Sequence, residues 1–237
     1  MLLIEQAKKL IRDAEHVIAL TGAGASVASG IPDFRSRDGI WSKYDPSVYA
    51  SVTGFRNDPQ AVWEFFRELK EGLVEAEPNT GHLALAELER QGHLEAVLTQ
   101  NIDGLHEKAG STVINLHGRS DQVHCLLCDY RAPWIDQEEV PECPDCGEPL
   151  KMDAVLFEQG LIPQEIFKAA AFVRNCDVMI LAGTAAQVYP VAYFPKIVLD
   201  NGGTVIEINL QPTMYSMRTH FLQGKFEEIM PQLVTVS

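Results

Sequence analysis

The chain has 237 residues, of which 46% are hydrophobic, 8% aromatic and 22% charged. That is enough for one large α/β domain carrying at most a small insert. A formal net charge of -14 excludes general affinity for nucleic acid or for an anionic membrane, and leaves a surface that tolerates a basic partner such as a Lys-rich peptide.

The opening stretch MLLIEQAKKLIRDAEHV reads as an amphipathic helix without a signal peptide's charged start, apolar run and cleavage site. No apolar run reaches the length that spans a bilayer. The expectation is a cytoplasmic protein free of membranes. A short strand follows, HVIAL at 16–20, and it runs into LTGAGASVASGIPDFRS. This segment has two glycines where a strand turns into a helix, but Val27 stands where a dinucleotide fingerprint needs its third. By itself it is either an ordinary βα turn or a nucleotide site of another design.

Residues 58–76 form a helical pattern with Pro59 in the opening turn and an apolar stripe of Val62, Phe65, Phe66 and Leu69. A second helix covers 80–92. Strands are expected at EAVLTQ (95–100) and TVINL (112–116). Beyond residue 151 come a helix over 163–176, strands DVMILAG (177–183) and TVIEINL (204–210), and a closing helix that carries Pro231. Strands alternating with helices specify an α/β fold, a Rossmann-like doubly wound parallel sheet. Such sheets bind ligands beyond the carboxyl ends of their strands. The polar motifs fall there: Gly22–Arg35, Gln100–Asp103, His117, Gly183–Thr184 and Asn209 follow the five strands in turn.

Residues 119–151 break the alternation, being rich in turns, Cys and Pro. They read as an inserted module, with the sheet domain made of 1–118 and 152–237. Cys125, Cys128, Cys143 and Cys146 form two C-x2-C pairs separated by fourteen residues, a spacing that closes a tetrahedral zinc site. Four thiolates leave no open position, so one structural zinc ion is expected. Cys176 lies outside the module and reads as a small buried residue.

GAGASVASGIPDFRS, TQNIDGLHEKAG and LHG followed by the paired cysteines, in this order, resemble the sirtuins, the NAD-dependent protein-lysine deacylases, over nearly the whole chain. The likeness is to the small prokaryotic type, a bare catalytic core. It implies NAD as co-substrate and an acyl-lysine protein or peptide as partner. The acyl oxygen attacks C1′ of the ribose as nicotinamide leaves.

The resemblance also assigns residues. Gly22, Ala23, Gly24 and Ala25 bring backbone to the NAD phosphates, Ser26 adds a hydroxyl, and Asp33, Phe34 and Arg35 lie near the reacting ribose. Asn101 and Asp103, with Ile102 between them, hold the nicotinamide half, and Gln100 contacts the ribose hydroxyls. His117 is the general base. Gly183, Thr184, Ala185, Asn209, Leu210 and Gln211 take the adenosine half, and the segment at Phe226 closes over adenine. Each residue also has a plain reading: Asp103 as a helix cap, Asn101 as a turn former, His117 as a strand cap. His16, His82, His93, His106, His124 and His220 read as structural or solvated.

Three departures from the family pattern stand out. Glu158 and Gln159 replace the Gly-Glu of the strand-like segment that clamps the substrate, in which Val155 and Phe157 are kept. Ala185 replaces a serine. Ala25 replaces an isoleucine, which implies a wider pocket wall. Phe66 and Leu69 stand where members that take acidic acyl groups carry Tyr and Arg, so an acyl carboxylate would find no cation, and acetyl or a longer neutral acyl group is expected. The alternatives to deacylation are transfer of ADP-ribose to protein and an idle NAD-sensing module.

Overall fold

A computed structural model describes residues 2–33 and 39–234. In chain order the elements are α1 (Leu2–Asp13), β1 (Val17–Thr21), α2 (Pro46–Tyr49), α3 (Val52–Asn57), α4 (Pro59–Val74), α5 (Thr80–Arg90), β2 (Ala96–Thr99), α6 (Leu105–Ala109) and β3 (Val113–Asn115). They continue with β4 (Gly118–Cys125), β5 (Arg131–Pro133), β6 (Leu150–Ala154), α7 (Pro163–Asn175), β7 (Val178–Ala182), α8 (Phe194–Asp200), β8 (Thr204–Asn209), β9 (His220–Gln223) and α9 (Phe226–Leu233).

Six strands form a parallel sheet in the order β3-β2-β1-β7-β8-β9. The order reverses between β1 and β7, and that switch point is where an open α/β sheet leaves a crevice at its carboxyl edge. Alternation along the strands explains the two covering layers. Val17, Ala19, Val97, Val178 and Ile180 face α1, α5 and α9, whereas Ile18, Leu20, Leu98, Met179 and Leu181 face α7 and α8. Because both faces are covered, the strands read as continuous apolar runs. The sixth strand, β9, was not among the five expected; HFLQ is a short edge strand with one buried residue, Leu222, and has no clear alternation.

The second lobe is built on a three-stranded antiparallel sheet, β5-β4-β6, running from Gly118 to Ala154. Helices α3 and α4 cover it, with Phe55, Val62, Phe65 and Phe66 packed on Met152, Ala154 and Leu156. Trp63, wholly buried, stacks on Trp134 with centroids 4.5 Å apart and donates its indole N–H to the Gln137 carbonyl at 2.9 Å. No helix among the described residues is long and apolar enough to cross a membrane.

Candidate active site at the switch point

The loop after β1 folds as two 3₁₀ turns, Ala23–Ala25 and Val27–Ser29, against the loop after β7. Gly24 N–H donates to the Gly183 carbonyl at 2.8 Å. A Cβ on Gly24 would lie 2.8 Å from that oxygen, and one on Gly183, whose φ is +62°, would lie 2.3 Å from the Ala25 nitrogen. These glycines are therefore required by two loops meeting backbone to backbone. Ala25 is fully buried in the core shared with α5, so its small side chain widens no pocket wall, contrary to the expectation above.

Gln100 bridges the switch point. Its N–H donates to the Thr21 carbonyl at 3.0 Å, and its Nε2 donates to Thr184 Oγ1 at 2.9 Å. Thr184 N–H in turn donates to Asn209 Oδ1 at 3.1 Å, while Asn209 Nδ2 returns a bond to the Thr184 carbonyl at 3.2 Å. A row of polar side chains thus joins the ends of β2, β7 and β8. Ala185, Leu210 and Gln211 are exposed beside it.

Asn101 is buried and donates through Nδ2 to the Gly22 carbonyl and to Ser26 Oγ, each at 3.1 Å. Ser26 donates its proton to Asp103 Oδ2 at 2.7 Å, and Asp103 Oδ1 accepts from Leu105 N–H at 2.9 Å. Asp103 therefore caps the start of α6 while facing Asn101 through one serine. The Ser26 hydroxyl, expected to serve a phosphate, is taken up inside this cluster, and Ser26 is 1% exposed. Burial raises the Asp103 pKa, against the lowering effect of its bonds to Leu105 and Ser26.

His117 follows β3 and presents Nδ1 to the Gln100 carbonyl at 3.1 Å. A carbonyl only accepts, so Nδ1 carries the proton and Nε2 is the free base. Burial lowers the pKa of His117 below its ordinary 6.5, and the bond to Gln100 opposes this. Its main-chain oxygen accepts from Val155 N–H at 2.8 Å, tying the base to the segment after β6.

That segment departs from the expected clamp. Gln159 N–H donates to the Leu156 carbonyl, and Leu156 N–H donates to Gln159 Oε1, each at 3.1 Å, closing a turn. Glu158 takes the left-handed conformation, φ +72°, at the position where the family's glycine was expected. Its carboxylate turns away to accept the N–H and hydroxyl of Thr53 at 3.0 and 2.8 Å, near the start of α3. Phe157 is half exposed, and its N–H and C=O are both bonded to the chain at Ala50 and Val52.

Two further expectations are corrected. Phe226 lies in the core, edge-on to His82 and against Gly81, rather than over an open adenine site. Phe66 is buried under the second lobe; the cavity of about 150 Å³ between residues 30–32, 39–40 and 43–44 and α4 is lined by Phe65, Glu68, Leu69 and Leu73 instead. Phe34 and Arg35 lie outside the described residues. The Asp33 carbonyl accepts from Ile40 N–H at 2.9 Å.

The sulfurs of Cys125, Cys128, Cys143 and Cys146 lie within 4.8 Å of one another, with Cys125–Cys146 and Cys128–Cys143 both at 3.5 Å. Zinc–sulfur bonds of about 2.3 Å in a tetrahedron place sulfurs about 3.8 Å apart, so the four thiolates fit that ion. The crevice suits NAD by the chemistry of its donors: two glycine-bearing loops, the amides of Gln100, Asn101 and Asn209, and the Thr184 hydroxyl. Sequence reasoning missed the Gln100–Thr184 bridge and the threonines that end β1 and β2. The signal for the latter was a hydroxyl closing two otherwise apolar strands, VIALT and AVLT.

Residues 22–190 match the model of the Sir2 family. The chain is 42% identical to an NAD-dependent protein deacylase of Pyrococcus furiosus, covering 98% of this chain and 97% of the relative. It is also 42% identical to NAD-dependent protein deacylase 1 of Archaeoglobus fulgidus, covering 97% and 96%. Among solved structures, a Sir2 homologue–NAD complex superposes with a TM-score of 0.91 at 41% identity, covering 97% of this chain and 92% of that one. Sir2Af2 bound to a myristoylated histone peptide gives 0.81 at 35%, covering 99% and 95%. With the reversed sheet order, the QNID cluster at the switch point and the four-cysteine module all in place, this chain belongs to the Sir2 family, the sirtuins.

Proposed function

We propose that the protein is an NAD-dependent protein-lysine deacylase that moves a neutral acyl group from lysine to ADP-ribose. The observation that carries this reading is the His117–Gln100 contact, which leaves Nε2 unprotonated on a ring bonded to the turn that carries Asn101 and Asp103. When bound, NAD supplies a labile bond between nicotinamide and ribose, and its cleavage exposes C1′ to the acyl oxygen. Asn101 and Asp103 orient the nicotinamide half. Gln100, Thr184 and Asn209 line the path of the ribose and phosphates. Nε2 of His117 takes a proton from a ribose hydroxyl so that the resulting oxygen can accept the acyl carbon. The Cys125, Cys128, Cys143 and Cys146 zinc site holds the second lobe and takes no part in bond making.

Acyl-lysine in a protein or peptide is the partner chemistry, supported by the acylated peptide carried by a structural relative. Four cysteines placed to hold a metal ion rather than to pair as disulfides support a cytoplasmic location. The test is incubation with NAD and an acetyl-lysine peptide. Nicotinamide together with acetyl-ADP-ribose is the expected outcome. Nicotinamide with labelled protein would indicate transfer of ADP-ribose, and neither product would refute both enzymatic readings.

A further inference from the structure

Strand β8 reads TVIEIN, and its one charged residue, Glu207, is 0% exposed. Its neighbours Val205, Ile206 and Ile208 are apolar core residues, and a carboxyl group among them is unfavourable unless its oxygens are hydrogen-bonded. Both oxygens are. Oε1 accepts from Asn209 Nδ2 at 3.2 Å and from Thr213 N–H at 3.0 Å. Oε2 accepts from the hydroxyls of Ser216 at 2.8 Å and Thr219 at 3.1 Å. All four donors are uncharged, and three of them belong to the connection between β8 and β9. Residues 207 and 209 share one face of the strand, which is how the carboxylate reaches the amide.

These bonds specify the Asn209 amide completely. Oε1 of Glu207 takes the Thr213 N–H, so it is an acceptor and Nδ2 is the end of the amide that faces it. The other Nδ2 proton goes to the Thr184 carbonyl at 3.2 Å, and Oδ1 accepts the Thr184 N–H at 3.1 Å. Both amide protons are committed, and only Oδ1 keeps a free lone pair. Asn209 can therefore accept from a ligand hydroxyl but has no proton left to give one.

We infer that Glu207 is a positioning residue for the adenosine half of NAD, holding the Asn209 amide against Thr184 in one orientation and tying the 213–219 segment to β8. Thr184 Oγ1 in turn receives Gln100 Nε2, so the orientation set at Glu207 is passed along the row that joins the ends of β8, β7 and β2. The ligand group that Asn209 meets is one that donates, as a ribose hydroxyl does. This function of Glu207 rests on the reading of Asn209 above, whereas the four bonds to its carboxylate do not.

Calorimetry with ADP-ribose and deacylation kinetics test it on three variants. Glu207→Met keeps the side-chain length without the acceptors, and should raise Kd for ADP-ribose and KM for NAD roughly 10-fold. At saturating NAD, kcat and KM for the acyl-peptide should stay within about twofold, a split that general loosening of the fold would not give. Glu207→Gln keeps an oxygen for Asn209 and Thr213, and its amide can donate to the two hydroxyls once they turn. Thr219 then has a second acceptor in the Ser216 carbonyl at 3.3 Å. This variant should bind ADP-ribose within about threefold of wild type. Glu207→Asp keeps the charge but draws the oxygens back by one methylene; it should weaken binding to an intermediate extent and serves if the methionine variant does not fold. Wild-type Kd in a folded Met variant or in the Asp variant, equal losses in the Gln and Met variants, or a loss confined to kcat overturns the positioning function. Wild-type protein that binds ADP-ribose but forms no acetyl-ADP-ribose refutes the deacylase reading alone, and the binding comparison still decides the function of Glu207. Wild-type protein that binds no ADP-ribose overturns both.

Discussion

The Nδ1–H of His117 donates to the main-chain oxygen of Gln100 across 3.1 Å, and that contact decides which ring nitrogen is basic. It also makes the base depend on the same turn that carries Asn101 and Asp103. The ring of His117 is therefore tied to the turn that carries Asn101 and Asp103.

Replacing His117 by Ala should lower deacylation by ~10²- to 10⁴-fold, the usual value of a positioned general base, while NAD affinity stays within a few-fold. Calorimetry with NAD and a coupled nicotinamide assay separate the two. Undiminished turnover would remove His117 from the mechanism.

The pH profile follows from the same residue. Burial lowers its pKa, so the neutral, active ring persists below the ordinary 6.5 and is lost only as pH falls through the lowered value. The acid limb of kcat/KM, and its loss in His117→Ala, should be centred below 6.5. A limb above that value assigns the titration to another group.

The four-cysteine site should hold one zinc ion per chain. Replacing Cys143 by Ser breaks the closed shell and unfolds the second lobe, because binding energy at such sites is folding energy. Trp63 reports it directly. Its indole, buried against Trp134, should shift its emission to the red as metal is lost, and zinc analysis of the same sample should fall in step.

Glu158 holds a left-handed backbone and accepts two hydrogen bonds from Thr53. Glu158→Ala loses those bonds and keeps the backbone penalty, whereas Glu158→Gly loses the bonds and removes the penalty. Thermal melts should rank wild type above or near Gly, with Ala lowest. An alanine variant as stable as the glycine one would contradict the turn described here.

Leu69 lines the cavity beside Glu68, and on the proposed function this is where acyl specificity would be set. An Arg at 69 would meet both an acyl carboxylate and Glu68, which already accepts the Tyr44 hydroxyl. Desuccinylation should therefore rise in Leu69→Arg and rise further when Glu68→Gln is added. Phe66→Tyr should give no gain and should cost about 1–3 kcal/mol, since its hydroxyl would be buried without a partner. Competing succinyl- and acetyl-peptide assays on the three variants decide the order.

Much of this was legible in the chain itself. Five apolar strands with polar continuations specified a parallel sheet and its working edge, because residues covered on both faces cannot alternate. Two C-x2-C pairs specified the metal cluster, because the ligand spacing is local. Contacts between segments distant in the chain were decided only by tertiary structure. Gly24 and Gly183 are needed by each other's loops, and Phe65 rather than Phe66 reaches the cavity because packing on Met152 and Ala154 fixes the rotation of α4. Glu158 turns to Thr53 because the chain from Ala50 to Val52 pairs with Phe157. His82 and His106, read from sequence as structural, become neighbours only when α5 and α6 pack side by side. Pattern and spacing fix what is periodic or local, whereas the partner of a buried polar atom depends on which distant segment the fold brings to it.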